Sequence, residues 1–202
     1  HYPLRRQRQM CIRDRDYDSI KIVEVGERLQ DVGCAALSIH GRTRAQMYKG
    51  EANWYPIAEV KNNPRMHIPI FGNGDVDSPG KAKEMRDSFG LDGAMIGRAS
   101  IGNPWFFKSV KQFLKTGNHL APISINKRVE IARRHLEMAI AWKGETLGVL
   151  ETRRHYSNYF KGIPNFKLHR TAMVTANHSE DVFTVFKEVE TQEESHAAGA
   201  TF

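Results

Sequence analysis

The 202-residue chain has few cysteines and no long apolar run, and these two shortages narrow its class. Its two cysteines, Cys11 and Cys34, are too few for a disulfide framework or a four-ligand zinc site, which favours a reducing compartment. No apolar run reaches the roughly eighteen residues of a membrane span, and the first residues lack the apolar segment of a secretory signal. We therefore expect a cytoplasmic protein with no membrane partner.

Motifs for metal ions and for nucleotide phosphates are also missing. The segments HGRTR, RRHLE and RRHYS supply one histidine each, and none has the ligand spacing of a metal site. Neither a Walker-type loop nor a GxGxxG motif is present. We expect no bound metal, and a phosphate site in this chain must use other backbone turns.

Positive charge is in excess, with 30 Lys and Arg against 23 Asp and Glu, a formal net charge of +7. The excess is concentrated in residues 124–175, which hold ten Lys or Arg against four Glu, whereas residues 180–194 hold six acidic residues against one Lys. Solvated helix faces give such a pattern, and an RNA-facing surface is the alternative. Charge alone leaves both interpretations open.

Strand and helix patterns alternate three times between residues 18 and 117. The apolar segments AALSIHG, HIPIFGNGD and LDGAMIGRA have the composition of buried strands and lie about 30 residues apart, with helical segments between them. That alternation predicts right-handed parallel β-α units. Either an open doubly wound sheet or part of a (β/α)8 barrel satisfies it.

Several helix boundaries can be assigned from end signals. Asp18 or Ser19 can cap the first helix, and Gly33 can end it. The segment SPGKAKEMRDSFG predicts a helix with Ser78 as its N-cap and Pro79 at its first position.

Strand signals stop after Pro122, and four helical segments follow, separated at glycines and at an asparagine. The opening fifteen residues show no period of helix or strand and resemble a tag or a misjoined segment. We therefore divide the chain into a leader (1–16), an α/β region (17–117), a helical domain (118–190) and a tail (191–202).

Polar or glycine-rich clusters follow each of the three predicted strands, at 40–44, 72–75 and 97–98. The carboxyl ends of parallel strands share one edge of the sheet, which is where ligands bind in such folds. Glycines allow the backbone to approach a ligand closely, and Gly97-Arg98 before a helix start suits a phosphate. A tight turn without ligand is the alternative for each glycine.

Three motifs carry a resemblance to a known family. LSIHGRTRAQMYKGEANW, IPIFGNGDVDSP and GAMIGRASIGNPWFF, in this order and spacing, resemble the tRNA-dihydrouridine synthases of the bacterial B-type branch. The downstream ETRRHYSNYFKGIP resembles the start of that family's C-terminal helical segment. Over Asp18 to Glu190, the resemblance implies the C-terminal half of a (β/α)8 TIM barrel, followed by a small all-α helical domain.

The resemblance also implies an activity, the FMN-dependent reduction of uridine to 5,6-dihydrouridine in tRNA. In that family NADPH reduces the flavin, hydride passes to uracil C6, and a cysteine protonates C5. The implied partner is tRNA, and the full-length protein is expected to be a monomer.

Site residues are carried over from the family by position. Those implied to bind FMN are His40, Asn73, Gly74, Asp75, Gly97 and Arg98. Those implied to bind tRNA are Arg42, Arg44, Arg153, Arg154, His155, Tyr159 and Lys161.

The chain departs from the family at its start. Neither Cys11 nor Cys34 lies in the context of the family's acid cysteine, and a flavin-contacting lysine expected before Asp18 has no counterpart. We therefore identify no catalytic residue and expect a fragment that is inactive by itself. Two alternatives are a dihydroorotate-dehydrogenase-like FMN barrel, which leaves HGRTR unexplained, and a non-catalytic RNA-binding fragment that uses residues 124–175.

Half of a barrel exposes two strand edges and the apolar faces that should meet the other half. We predict that this chain, expressed alone, is poorly soluble and does not retain FMN through purification. The absorption spectrum of the purified protein tests this, and a flavin band near stoichiometric occupancy would contradict it.

Overall fold

The computed structural model describes residues 14–199, and side chains up to residue 192. The described residues form two compact units. The first, here called the sheet unit, contains residues 14–99 and 108–118, and the second, the helical unit, contains residues 100–107 and 119–199.

The sheet unit is built on three parallel strands, which confirms the predicted parallel β-α units. They are β1 (Leu37–His40), β2 (Ile70–Asn73) and β3 (Gly93–Met95), and their order in the sheet is β1-β2-β3. In the register, His40 lies opposite Asn73, so the ends of the first two strands are level. The mixed α/β class is thereby established, and closure into half of a barrel stays a prediction.

Helix α1 (Ile22–Asp31) precedes the first strand, α2 (Tyr55–Asn62) and α3 (Pro79–Ser88) connect the strands, and α4 (Phe106–Thr116) follows the last one. Helix α2 packs against β2 and α1, and α3 packs against β3. Trp54, Ile57, Val60 and Ile70 are almost fully buried between them. This apolar layer fixes the strands whose ends carry the predicted site residues.

Most of the predicted helix ends are confirmed. Ser78 caps α3 by accepting a hydrogen bond from the Lys81 N–H, with Pro79 in the first turn. Gly33 follows α1 with a φ of +89°, a conformation that favours glycine.

The predicted cap of α1 is wrong. Asp16 caps a short 3₁₀ turn, Tyr17–Ser19, and the Ser19 hydroxyl bonds back to Asp16 in a reciprocal capping box. The Ser19 hydroxyl is therefore bonded to Asp16 and does not cap α1. Helix α1 begins at Ile22, without a side-chain cap from any described residue.

The end of the segment expected to be a leader is part of the sheet unit. The Arg44 N–H donates to the Asp14 carbonyl at 2.9 Å, and the Ala45 N–H donates to the Arg15 carbonyl at the same distance. The Lys21 N–H donates to the Asp14 carboxylate at 3.2 Å. Residues 14–16 are thus bonded to the folded chain, whereas the rest of the predicted leader lies outside the described residues.

The helical unit contains the four predicted helices: α5 (Ile125–Lys143), α6 (Glu145–Tyr159), α7 (Lys167–Thr175) and α8 (Ser179–Gly199). Gly144 and Gly162, with φ of +81° and +85°, separate the helices as predicted. We expected the last helix to end at residue 190, but it continues to Gly199.

The core of the helical unit lies among all four helices. Its fully buried side chains include Val129, Leu136, Val149, Tyr156, Met173 and Phe186. Helices α5 and α6 approach closely at Gly148, where an added Cβ would lie 2.7 Å from both Cα and N of Ile140. That separation is below van der Waals contact with backbone atoms, so α5 and α6 can approach this closely only with glycine at this position.

We predict that Gly148→Ala destabilises the protein by about 1–3 kcal/mol, because overpacking outweighs the gain in helix propensity. Gly80→Ala in α3 is the matched control, since its added Cβ meets no described atom within 4 Å. That variant should be neutral or stabilising by up to about 1 kcal/mol. Urea unfolding measures both free energies, and a stabilised Gly148→Ala variant would contradict the packing argument.

Candidate functional site

The carboxyl ends of β1 and β2 and the turn after β3 bring together the residues that were predicted to bind the cofactor. His40 and Asn73 are register partners, and the His40 ring lies 3.5 Å from where a Cβ on Gly74 would be. Asp75, which follows β2, forms an ion pair at 3.0 Å with Arg98, which follows the neighbouring strand β3. Gly97 precedes Arg98 in the chain, so the whole predicted set lies at one edge of the sheet.

Two of the site glycines serve the packing of the protein itself. A Cβ on Gly72 would lie 2.1 Å from the Trp54 ring, and one on Gly74 would lie 2.5 Å from Ala52 Cβ. The Trp54 indole N–H also donates to the Gly74 carbonyl at 3.1 Å. We expected a ligand to lie against Gly72 and Gly74, but the loop after β1 lies there, through Trp54 and Ala52.

Gly97 is different from these two glycines. A Cβ there would meet no described atom within 4 Å, and its φ is not in the left-handed region. Neither internal packing nor backbone strain among residues 14–199 calls for glycine at this position. Close approach by a ligand gives a physical reason for it.

The Asp75 carboxylate accepts three hydrogen bonds at this edge of the sheet. Its Oδ2 accepts from Arg42 Nη2 and from the Ala52 N–H, both at 2.7 Å, and its Oδ1 accepts from Arg98 Nη2 at 3.0 Å. Partial burial raises the pKa of Asp75, but the bonds from Arg42 and Ala52 and the two arginine charges lower it by more. The pKa therefore lies below its ordinary value, and the carboxylate is ionised at neutral pH.

Arg42 is buried, with only 5% of its surface exposed, although it was predicted to contact tRNA. Its guanidinium donates to the carbonyls of Lys49 and Gly50 as well as to Asp75. Its third nitrogen, Nη1, is buried without a hydrogen-bond partner in the described part of the chain. The tRNA role of Arg42 stays a prediction, and its surroundings are those of an internal ion pair.

The main chain of Arg42 fixes the ring of His40. The Arg42 N–H donates to His40 Nδ1 at 3.1 Å, so the neutral ring carries its proton on Nε2. His40 can therefore act as a hydrogen-bond donor through Nε2.

Arg98 presents an exposed guanidinium at the same edge, on the short 3₁₀ turn Arg98–Ser100. Its side chain is 61% exposed, and the guanidinium carbon lies 5.2 Å from the centre of the Tyr48 ring. Asp75 and Tyr48 thus hold this cation from two sides. Sequence reasoning missed Tyr48, whose only signal was its place in the first family motif.

Some of the tRNA-binding residues predicted in the helical unit are exposed, and the others bond to groups inside that unit. Arg154 and Lys161 are exposed. Arg153 instead donates to the Ala176 carbonyl at 2.9 Å and to Asn177 Oδ1 at 2.8 Å, and so holds the end of α7. In the sheet unit, Arg44 is exposed as well.

His155 and Tyr159 belong to a polar network inside the helical unit. Tyr159 is buried and its hydroxyl lies 3.1 Å from Nδ1 of His135, whose ring centre is 4.9 Å from that of His155. Burial lowers the pKa of both histidines, the nearby Arg154 charge lowers each further, and burial raises the pKa of Tyr159. These groups are neutral at pH 7, and sequence reasoning missed His135.

Residues 14–199 contain neither a cluster of metal-binding side chains nor a helix that could cross a membrane. No group of three or more His, Cys, Asp or Glu side chains in that range is arranged to hold a metal ion. None of the helices there is long and apolar enough to cross a membrane.

Comparisons with known proteins agree with the motifs. The model of the family described as dihydrouridine synthase (Dus) matches residues 3–197, a range that includes most of the predicted leader. The tRNA-dihydrouridine synthase B of Shewanella oneidensis is 40% identical over 137 residues, which are 68% of this chain and 42% of that protein. The tRNA-dihydrouridine synthase B of Xanthomonas axonopodis pv. citri is 44% identical over 135 residues, 67% of this chain and 40% of that protein.

A third relative, named probable tRNA-dihydrouridine synthase, comes from Rickettsia conorii and is 37% identical over 145 residues, 72% of this chain and 43% of that protein. The chain thus spans about two fifths of the length of the curated relatives that it matches. On the family match over residues 3–197 and the several type B relatives, the chain belongs to the dihydrouridine synthase family, in its B-type branch.

Proposed function

We propose that the sheet unit forms the phosphate-binding part of an FMN site, in an enzyme that reduces uridine in tRNA to 5,6-dihydrouridine. Family membership supports the reaction. The observation that carries the cofactor assignment is the exposed Arg98 guanidinium, held by Asp75 and Tyr48 beside the open approach at Gly97. A fixed cation next to unobstructed backbone is suited to a phosphate group.

The charges at this edge favour an anion. Asp75 carries one negative charge, which the two arginines that bond to it more than neutralise. The residues present therefore fit an anionic group such as the FMN phosphate.

The binding roles follow from the donors. Arg98 would hold the phosphate, which the lack of a Cβ at Gly97 would allow to approach. The Asn73 amide, which also contacts Met95 Sδ at 3.4 Å, and His40 would lie beside the other polar groups of the cofactor. FMN reduced by NADPH would supply the hydride that reduces the uracil ring. Cys34 precedes β1, at the opposite end of that strand from the site, so we assign it no role as the acid.

In the helical unit we propose that exposed cations contact the phosphates of tRNA. Arg154 and Lys161 are the predicted residues that are exposed, although Arg154 Nε also lies 3.3 Å from His155 Nε2, and Arg44 is a further exposed candidate in the sheet unit. Arg153, His155 and Tyr159 would act indirectly, because they stabilise the helices that carry the exposed residues. Phosphate contacts supply sequence-independent affinity, which suits binding of a folded tRNA by shape.

The phosphate assignment predicts that the purified chain, titrated in solution, binds FMN about tenfold more tightly than riboflavin, which lacks the phosphate. Arg98→Ala should remove this preference and leave the riboflavin affinity unchanged. Quenching of flavin fluorescence measures both affinities.

Arg65→Ala is the matched control for Arg98→Ala, because Arg65 is similarly exposed and pairs with Glu27 away from the site. It should keep the preference for FMN. Equal affinities of the wild-type chain for FMN and riboflavin would sink the phosphate assignment.

For RNA binding, the double variant Arg154→Gln, Lys161→Gln should weaken tRNA binding and lower the slope of log K against log salt by about 2. Filter binding at several salt concentrations measures this. Arg153→Gln should instead lower the unfolding temperature, since it removes the hydrogen bonds at the end of α7. An unchanged salt slope in the double variant would argue against a tRNA contact at these residues.

A further inference from the structure

Arg42 has a setting that direct binding of RNA does not explain. It is 5% exposed, while Arg44, two residues later in the same loop, is exposed. To reach an RNA phosphate, the Arg42 guanidinium would have to leave its ion pair with Asp75, and that would leave a partly buried carboxylate with one fewer counter-charge. A role inside the site explains this burial better than a direct contact with RNA.

The two carboxylate oxygens of Asp75 accept from different groups. Arg42 and the Ala52 N–H both occupy Oδ2, at 2.7 Å each, and this leaves Oδ1 to accept from Arg98 at 3.0 Å. The carboxylate is therefore oriented by groups of the loop after β1 before it meets Arg98. Arg42 and Arg98 are connected through a single carboxylate.

The second support of Arg98 depends on the same guanidinium. Arg42 donates to the carbonyls of Lys49 and Gly50, which directly follow Tyr48. The Tyr48 ring in turn lies under the Arg98 guanidinium. Arg42 thus anchors both the carboxylate and the loop segment that hold Arg98.

We propose that Arg42 is a positioning residue: through Asp75 and the Tyr48 loop, it holds the Arg98 guanidinium in the orientation that binds the phosphate of the flavin nucleotide. This inference rests on the proposed function of the same site. An exposed arginine loses rotamer entropy when it binds a ligand, and a side chain that is already held loses less. Lysine cannot replace Arg42, because serving two carbonyls and a carboxylate together requires the planar fork of a guanidinium.

The test compares FMN and riboflavin binding in Arg42→Lys and in the wild-type chain. Arg42→Lys should lower the ratio of FMN affinity to riboflavin affinity about three- to tenfold, with riboflavin affinity unchanged. Arg65→Lys, at an exposed arginine that pairs with Glu27, is the control and should leave the ratio as in the wild type. Adding Arg42→Lys to Arg98→Ala should lower the ratio no further, because Arg42 acts only through Arg98.

Each other outcome has a defined meaning. If Arg98→Ala removes the preference for FMN and Arg42→Lys keeps it, the positioning role is wrong and the proposed function stands. Equal losses of FMN and riboflavin affinity in Arg42→Lys would show a purely structural role and would also overturn the inference. If the wild type has no preference for FMN, or Arg98→Ala keeps that preference, the proposed function itself fails. Because Arg42→Lys keeps the charge beside Asp75, it is the variant that avoids unfolding; circular dichroism checks this.

Discussion

The ionised carboxylate of Asp75 is the group on which the candidate site depends. It keeps two guanidinium groups, one buried and one exposed, within hydrogen-bond distance of the same side chain. Without it their charges would repel each other at short range in a partly dry environment. Asp75 itself has a φ of +57°, in the left-handed region that aspartate adopts more readily than most residues other than glycine. The two ion pairs and the exposed cation therefore belong to one arrangement.

In the helical unit, buried polar groups give rigidity and the exposed cations remain available. His135, His155 and Tyr159 form an internal network, and Arg153 holds the end of α7. Fewer cations of residues 124–175 are available to bind RNA than the net charge suggests, because Arg153, Arg133 and Lys143 are paired with acceptors of the same unit. What remains at the surface is a smaller set of basic side chains, and only that set can contribute to salt-dependent RNA affinity.

The sequence was sufficient for the order and type of the elements, because their signals are local. Glycines with positive φ, the Ser78 cap and the apolar strand runs each act within a few residues, and they predicted the parallel units and the four helices. The burial of Arg42 had no such signal, since it results from pairing with a carboxylate 33 positions away in the chain. The packing requirement for glycine at position 72 could not be predicted either, because only folding brings Trp54 against it.

The central claim is that the Arg98 guanidinium, held by Asp75, binds the phosphate of FMN. Side-chain ¹⁵N–¹H spectra of arginine, recorded during separate titrations with FMN and riboflavin, test it most directly. We expect the Arg98 Nε–H signal to shift with FMN and not with riboflavin, while the Arg65 signal stays in place in both titrations. If the Arg98 signal does not move at FMN concentrations at which fluorescence quenching shows that FMN is bound, the assignment of Arg98 to the phosphate is contradicted.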